Sequence, residues 1–198
     1  MTIVRADITG VVLAGGQGRR MGTVDKGLVE LDGMPLVAHV IGRLAPQVGA
    51  LLVNANQNHD RYAAFGYPVL ADAITGFAGP LAGLHAAMTA AATPFVLTSP
   101  CDSPFLPVDL AARLSVALAN ERADIAVART FAQPHPVFAL VRCAVLPHLE
   151  RFLGDGGRKI GMWYASLPTT EVPFDDEADA FRNINTTAEL AASSNSAH

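Results

Sequence analysis

Four short apolar runs, each followed by a segment of helical spacing, limit what this chain can fold into. They are Ile8–Leu13, Leu51-Leu52-Val53-Asn54, Val69-Leu70-Ala71-Asp72 and Phe95-Val96-Leu97-Thr98. Runs this short and this continuously apolar read as strands buried on both faces. Helical segments between them are expected from about Pro35, with Leu36, Val40, Ile41 and Leu44 inward, from about Asp60 to Phe65, and from Gly79 to just before Thr93. Another runs from about Asp109 to Asn120. Strand and helix alternating in this way predict an α/β fold, a Rossmann-like three-layer α/β/α sandwich on a mostly parallel sheet. Such sheets bind ligands beyond the carboxyl ends of their strands. Gly15, Asn54, Asp72 and Asp102 all fall at those ends, so four strands deliver one polar set to one edge.

The first of these ends is the richest. After Leu13 come Ala14-Gly15-Gly16-Gln17-Gly18-Arg19-Arg20-Met21-Gly22, and then Lys26. Glycines let the backbone approach a ligand closely, and exposed N–H groups in a turn form a concave anion site. With Arg19, Arg20 and Lys26 the stretch reads as a phosphate cradle. It is neither the dinucleotide fingerprint, since Met21 stands where the last glycine belongs, nor a P-loop, whose glycine-lysine spacing is absent. A tight turn carrying surface arginines is the plain alternative.

A length of 198 residues with 51% apolar side chains fits one domain with one large core. The net charge of −4 argues against a general nucleic-acid binder, while an anionic small molecule needs only local positive charge. Cys101 and Cys143 form no metal spacing and no disulfide framework. Free thiols and the lack of a signal peptide point to the cytoplasm, and no run is long enough to span a bilayer. No membrane or nucleic-acid partner is expected. The small polar residues 192–198 read as a frayed tail.

The second half is less regular. Strands are expected at Ile125–Ala128 and Pro136–Val141, with His135 between two prolines at the start of the latter. Helices follow at about Ala144–Leu153 and Lys159–Ala165, and Thr186 caps a last one. In a strand, Asn183 and Asn185 would share a face.

Several of these residues suit specific chemistry. Asp102, on a turn stiffened by Pro100 and Pro104, suits a Mg²⁺ ion held by one carboxylate and phosphate oxygens. It suits an Asx turn as well. The Asp72 carboxylate can accept two adjacent donors, as the N1–H and N2 amino group of guanine present. Asn54 reads as a base or ribose contact or as a strand-end turn residue. Asn183 and Asn185 are candidates to reach the metal or a second substrate, set against turn formation and helix capping. His135 is a candidate substrate contact, set against a purely structural role.

Taken together, Leu13-Ala14-Gly15-Gly16, Arg20-Met21-Gly22, Asp25-Lys26 and Leu28 resemble the signature of the nucleotidyltransferase superfamily. Paired glycines and Asp25 before Lys26 are similar to the molybdenum cofactor guanylyltransferases within it. Val53-Asn54-Ala55-Asn56, Gly79-Pro80-Leu81-Ala82-Gly83, Pro100-Cys101-Asp102 and Asn183-Ile184-Asn185-Thr186 extend that resemblance over nearly the whole chain.

The resemblance implies GTP and Mg²⁺ as ligands, with molybdopterin or molybdenum-molybdopterin as acceptor. Partners would be proteins that make or receive the molybdenum cofactor. It implies GTP binding by Leu13, Ala14, Gly15, Lys26, Asn54, Asp72 and Asp102, with Asp102 on the metal. The N-terminal half would hold the nucleotide and the C-terminal half the acceptor. Arg20, Lys26 and Asp102 would carry the catalysis, stabilising charge as the acceptor phosphate displaces pyrophosphate. A molybdopterin cytidylyltransferase, a sugar-phosphate nucleotidyltransferase and a GTP-binding module without turnover stand beside this reading.

Overall fold

The computed structural model describes residues 2–15, 25–74 and 79–184. Its first strand is β1 (Ile8–Leu13). A small hairpin follows, β2 (Glu30–Leu31) and β3 (Met34–Pro35). Its turn places Asp32 at φ 52° and Gly33 at φ 77°, the paired positive φ of a two-residue hairpin loop. Next come α1 (Leu36–Leu44), β4 (Ala50–Asn54), α2 (His59–Ala63) and β5 (Val69–Leu70). The chain continues through α3 (Pro80–Ala90), β6 (Phe95–Pro100), α4 (Leu110–Asn120), β7 (Ile125–Thr130) and β8 (Gln133–Arg142). It ends with α5 (Leu146–Gly154), α6 (Ile160–Tyr164), β9 (Thr169–Pro173) and a 3₁₀ segment at Asp175–Phe181.

The main sheet has the order β5-β4-β1-β6-β8-β7-β9. β5, β4, β1 and β6 pair in parallel, and β7 pairs in parallel with β9. β8 runs antiparallel to β6 on one side and to β7 on the other. The sheet is therefore mostly parallel. Alternate residues of each strand serve opposite faces. Ile8 and Val12 pack with Val37, Val40 and Leu44 of α1 and Leu110, Leu114 and Leu118 of α4. Val11 and Val96 pack with Leu81, Leu84 and Met88 of α3, Leu149 of α5 and Trp163 of α6. Two helical layers enclose one sheet, as the alternation predicts. A smaller cluster joins Leu31 and Leu36 of the hairpin region to Ile184.

Some expectations shift. Pro35 closes β3 and caps α1 rather than opening its first turn. The strand before Asp72 stops at Leu70. His135 lies within β8, opposite Ala128, rather than ahead of it. A 3₁₀ turn at Cys143–Val145 precedes α5, so the α-helix begins two residues after Ala144. β9 lies at a sheet edge, bounded by Pro168 and Pro173 with Val172 buried, and was not expected. Residues 182–184 are not in a strand. Thr186 and the 192–198 tail lie outside the described residues. Among the described residues no helix is long and apolar enough to cross a membrane.

Candidate nucleotide and acceptor site

The parallel ladder sets the site, because Leu13 lies opposite Asn54 of β4 and opposite Pro100 of β6. Hydrogen bonds continue past the strand ends. Ala14 N–H donates to the Asn54 carbonyl at 2.8 Å, and Cys101 N–H donates to the Leu13 carbonyl at 3.1 Å. Gly15 thereby leaves the sheet between Asn54 and the Asp102 turn. Strand order puts Asp72, Asn54, Gly15 and Asp102 side by side along one edge, as the strand ends predict.

Asn54 is 2% exposed, and its side-chain N–H donates to Asp72 Oδ1 at 2.9 Å. Asn56 donates to Asp72 Oδ2 at 2.7 Å and accepts from the Asp72 backbone N–H at 2.9 Å. These bonds fix the plane of a half-buried carboxylate. Each oxygen keeps a lone pair for a further donor. Two glycines make room for the pair. A Cβ on Gly83 of α3 would stand 2.4 Å from Asn54 Oδ1, and one on Gly15 would stand 3.0 Å from Asn56 Nδ2.

On the other side of Gly15, Lys26 opens a 3₁₀ turn, and its Nζ lies 3.5 Å from Asp102 Oδ2. Asp102 is 8% exposed. Burial pushes its carboxyl above the ordinary value, and the Lys26 ammonium opposes that rise. Burial, followed by the Asp102 charge, pushes the neighbouring Cys101 thiol up, so it is no thiolate nucleophile at neutral pH. Asp25, directly before Lys26, accepts from the Tyr62 hydroxyl at 2.6 Å and from Asn58 Nδ2 at 2.9 Å.

The C-terminal half closes on the same edge. Ile184 N–H donates to the Asp102 carbonyl at 2.8 Å, and the Ser103 hydroxyl donates to Asn183 Oδ1 at 2.7 Å. Beside this junction lies a cavity of about 340 Å³, lined by Pro100, His135, Phe138, Phe181 and Asn183 among others. His135 stacks on Phe181 with ring centroids 4.7 Å apart, and its Nε2 lies 2.7 Å from Thr130 Oγ1. Burial lowers its pKa, so the ring is neutral near pH 7. Arg113 of α4 steadies the segment that carries Phe181, lying 3.8 Å from the Phe174 ring centroid and pairing with Asp176 at 3.0 Å.

The structure thus brings Leu13, Ala14, Gly15, Lys26, Asn54, Asp72 and Asp102 to one edge, with His135 and Asn183 in an adjoining hollow. Arg20, Arg19, the glycines at 16, 18 and 22, and Asn185 lie outside the described residues. Sequence reasoning gave Asp25, Asn56 and Gly83 no role of their own and missed Tyr62, Asn58 and Ser103. Asn56, two residues after Asn54, carried a faint signal. Tyr62 carried none, since nothing local marks a buried tyrosine as a partner of Asp25. Among the described residues no three His, Cys, Asp or Glu side chains gather to hold a metal.

Comparison with known proteins gives one direction. The family described as "MobA-like NTP transferase domain" matches residues 10–169. A molybdenum cofactor guanylyltransferase of Ralstonia nicotianae is 52% identical over 197 residues, covering 95% of this chain and 96% of that protein. One of Bordetella petrii is 50% identical over 192 residues, covering 95% and 97%. Among solved structures, molybdopterin-guanine dinucleotide biosynthesis protein A of Archaeoglobus fulgidus superposes with a TM-score of 0.79 at 26% identity, covering 94% of this chain and 97% of that one.

Proposed function

The chain belongs to the MobA-like NTP transferase domain family, and from that premise we propose that it transfers GMP from GTP to the terminal phosphate of molybdopterin. The products are the guanine dinucleotide form of the cofactor and pyrophosphate. One observation carries the site assignment. The Asn54–Asp72–Asn56 cluster and the Lys26–Asp102 pair flank Gly15 on a single sheet edge.

Guanine is read by Asp72, whose carboxylate takes the N1–H and the N2 amino group while Asn54 and Asn56 hold its plane. Leu13, Ala14 and Gly15 lie under the nucleotide. Lys26 and Arg20 neutralise the triphosphate and the charge that builds on the departing pyrophosphate. Asp102 is the metal ligand. A carboxylate that burial already penalises gains most from a cation, and Mg²⁺ is commonly held by one carboxylate and phosphate oxygens, so the donor set fits. When bound, Mg²⁺ would supply charge neutralisation across the phosphate oxygens.

The hollow lined by His135 and Asn183 takes the acceptor, next to the Asp102 turn. The attacking phosphate is already ionised, so no side chain need act as a base. Its oxygen forms the new bond to the α-phosphorus as the bond to pyrophosphate breaks in line. The protein's contribution is position and charge.

The test is to incubate the full chain with molybdopterin, Mg²⁺ and each nucleoside triphosphate in turn. Pyrophosphate release and guanylate attached to molybdopterin are expected with GTP. Equal turnover with CTP, or binding of GTP without pyrophosphate release, would overturn the reading.

A further inference from the structure

We propose that Tyr62 and Asn58 are positioning residues of the transfer, gripping Asp25 so that Lys26 is presented to the nucleotide phosphates beside Asp102. The proposal rests on the phosphate role of Lys26 given above.

Three observations converge on it. First, the Asp25 carboxylate is held at both oxygens, Oδ1 by Tyr62 and Oδ2 by Asn58. The two donors are four residues apart, Asn58 capping the short helix α2 and Tyr62 within it. Second, the grip continues past the lysine. A Cβ on Gly27 would stand 2.5 Å from Tyr62 Oη and 3.2 Å from Cys101 Sγ. The Gly27 backbone is thus seated between the tyrosine and the residue that precedes Asp102. Lys26 is therefore fixed on both flanks by the same phenol. Third, Asn58 sits at φ 53°, a left-handed conformation that asparagine tolerates better than most residues. Strained backbone persists where the surroundings over-determine it.

The phenol has no acid-base part in this. It is wholly buried, and burial, Cys101 and Asp25 all keep it protonated. Phenylalanine would fill the same space, so the hydroxyl serves Asp25. Both flanks of Lys26 being held limits where its ammonium can go, and a small misplacement of a charge-stabilising group is costly in rate.

The experiment compares Tyr62→Phe, Asn58→Gly, Asp25→Asn and the exchange Asp25→Asn with Asn58→Asp, alongside Lys26→Ala. Each is made in the full chain and assayed for GTP-dependent pyrophosphate release with molybdopterin. Tyr62→Phe is expected to lower kcat about tenfold to a hundredfold with far less change in KM. Its preference for guanine should stay intact. Asn58→Gly should fall in the same direction by less, since glycine keeps the backbone and loses one bond. In the exchange, the new amide at position 25 can donate to the new carboxylate at position 58 while still accepting from Tyr62. It should therefore recover most of what Asp25→Asn loses.

If Lys26→Ala is crippled while Tyr62→Phe and Asn58→Gly stay within about twofold of the parent, the positioning role is wrong and the lysine reading survives. If Lys26→Ala is itself unimpaired, the lysine reading fails and takes the proposal with it. Should Tyr62→Phe not fold, the exchange decides alone, because failure to recover Asp25→Asn overturns the grip.

Discussion

Alanine in place of glycine should have opposite consequences at two helical positions, and the difference measures how the Asn54–Asp72 edge of the sheet is built. Gly42 of α1 is exposed, and a Cβ there meets nothing within 4 Å. Gly42→Ala should therefore return the usual helical gain, about 0.5–1 kcal/mol. For a chain of this size, where 1 kcal/mol moves Tm by about 2–4 °C, that is a Tm rise of about 1–4 °C.

Gly83 of α3 is buried, and its Cβ would stand 2.4 Å from Asn54 Oδ1 and 2.7 Å from Leu13 Cδ2. The same helical gain is then opposed by overpacking of about 1–3 kcal/mol. A displaced Asn54 also gives up its bond to Asp72, adding about 1–3 kcal/mol for a buried amide left unsatisfied. The net is a loss of about 1–5 kcal/mol, read as a falling Tm in thermal unfolding followed by circular dichroism. KM for GTP should rise in step, because the displaced side chain is one that holds Asp72, the carboxylate proposed to read guanine. If Gly83→Ala raised Tm as Gly42→Ala does and left KM alone, the close seating of Asn54 under α3 would be refuted.

Other outcomes follow from the same edge. Asp102→Asn should abolish Mg²⁺-dependent transfer while the fold is kept, measured as pyrophosphate release beside a circular dichroism spectrum. Because burial raises the native Asp102 pKa, its proton is held more tightly folded than unfolded. Stability from this group is therefore complete below the ordinary aspartate value of about 3.9 and is lost as pH climbs through the raised one. The Tm difference between Asp102→Asn and the parent should accordingly move in the variant's favour as pH rises across that window. Lys26→Met removes the ammonium that opposes the rise, so the Asp102 carboxyl should titrate higher still, read by carbon-13 NMR of the side chain. Asp72→Asn should relax the preference for GTP over ATP, and an unchanged ratio of kcat/KM values would remove the base-reading role.

The parallel half of the fold was legible chiefly because its central strands, β1 and β6, are buried on both faces. Ile8–Leu13 and Phe95–Thr98 therefore read as short, mostly apolar runs, and the polar residues after them marked the site. β9 gave no such signal, being an edge strand between prolines with a mostly exposed pattern. The prolines flanking His135 suggested the start of a strand rather than its interior. In that stretch β8 pairs with β7 through an irregular register, and β6 reaches it only from Ala139 onward. A missing N–H there interrupts nothing on the β6 side. The carboxylates at 72 and 102 were legible as strand-end residues. The hold on Asp25 was not, since its donors lie 33 and 37 residues away in the chain and one of them looks like ordinary core.

The short link between Ile184 and the Asp102 carbonyl bears on how such a molecule comes into being on the ribosome. Ile184 also nests against Leu31 and Leu36, so one late residue seals two early pieces. A nascent chain that has already emitted the strands leading to Gly15, Asn54, Asp72 and Asp102 still has an unfinished rim. Fragments cut ahead of residue 184 would consequently be poor stand-ins for the whole protein in ligand work, even though they hold each side chain expected to touch the guanine.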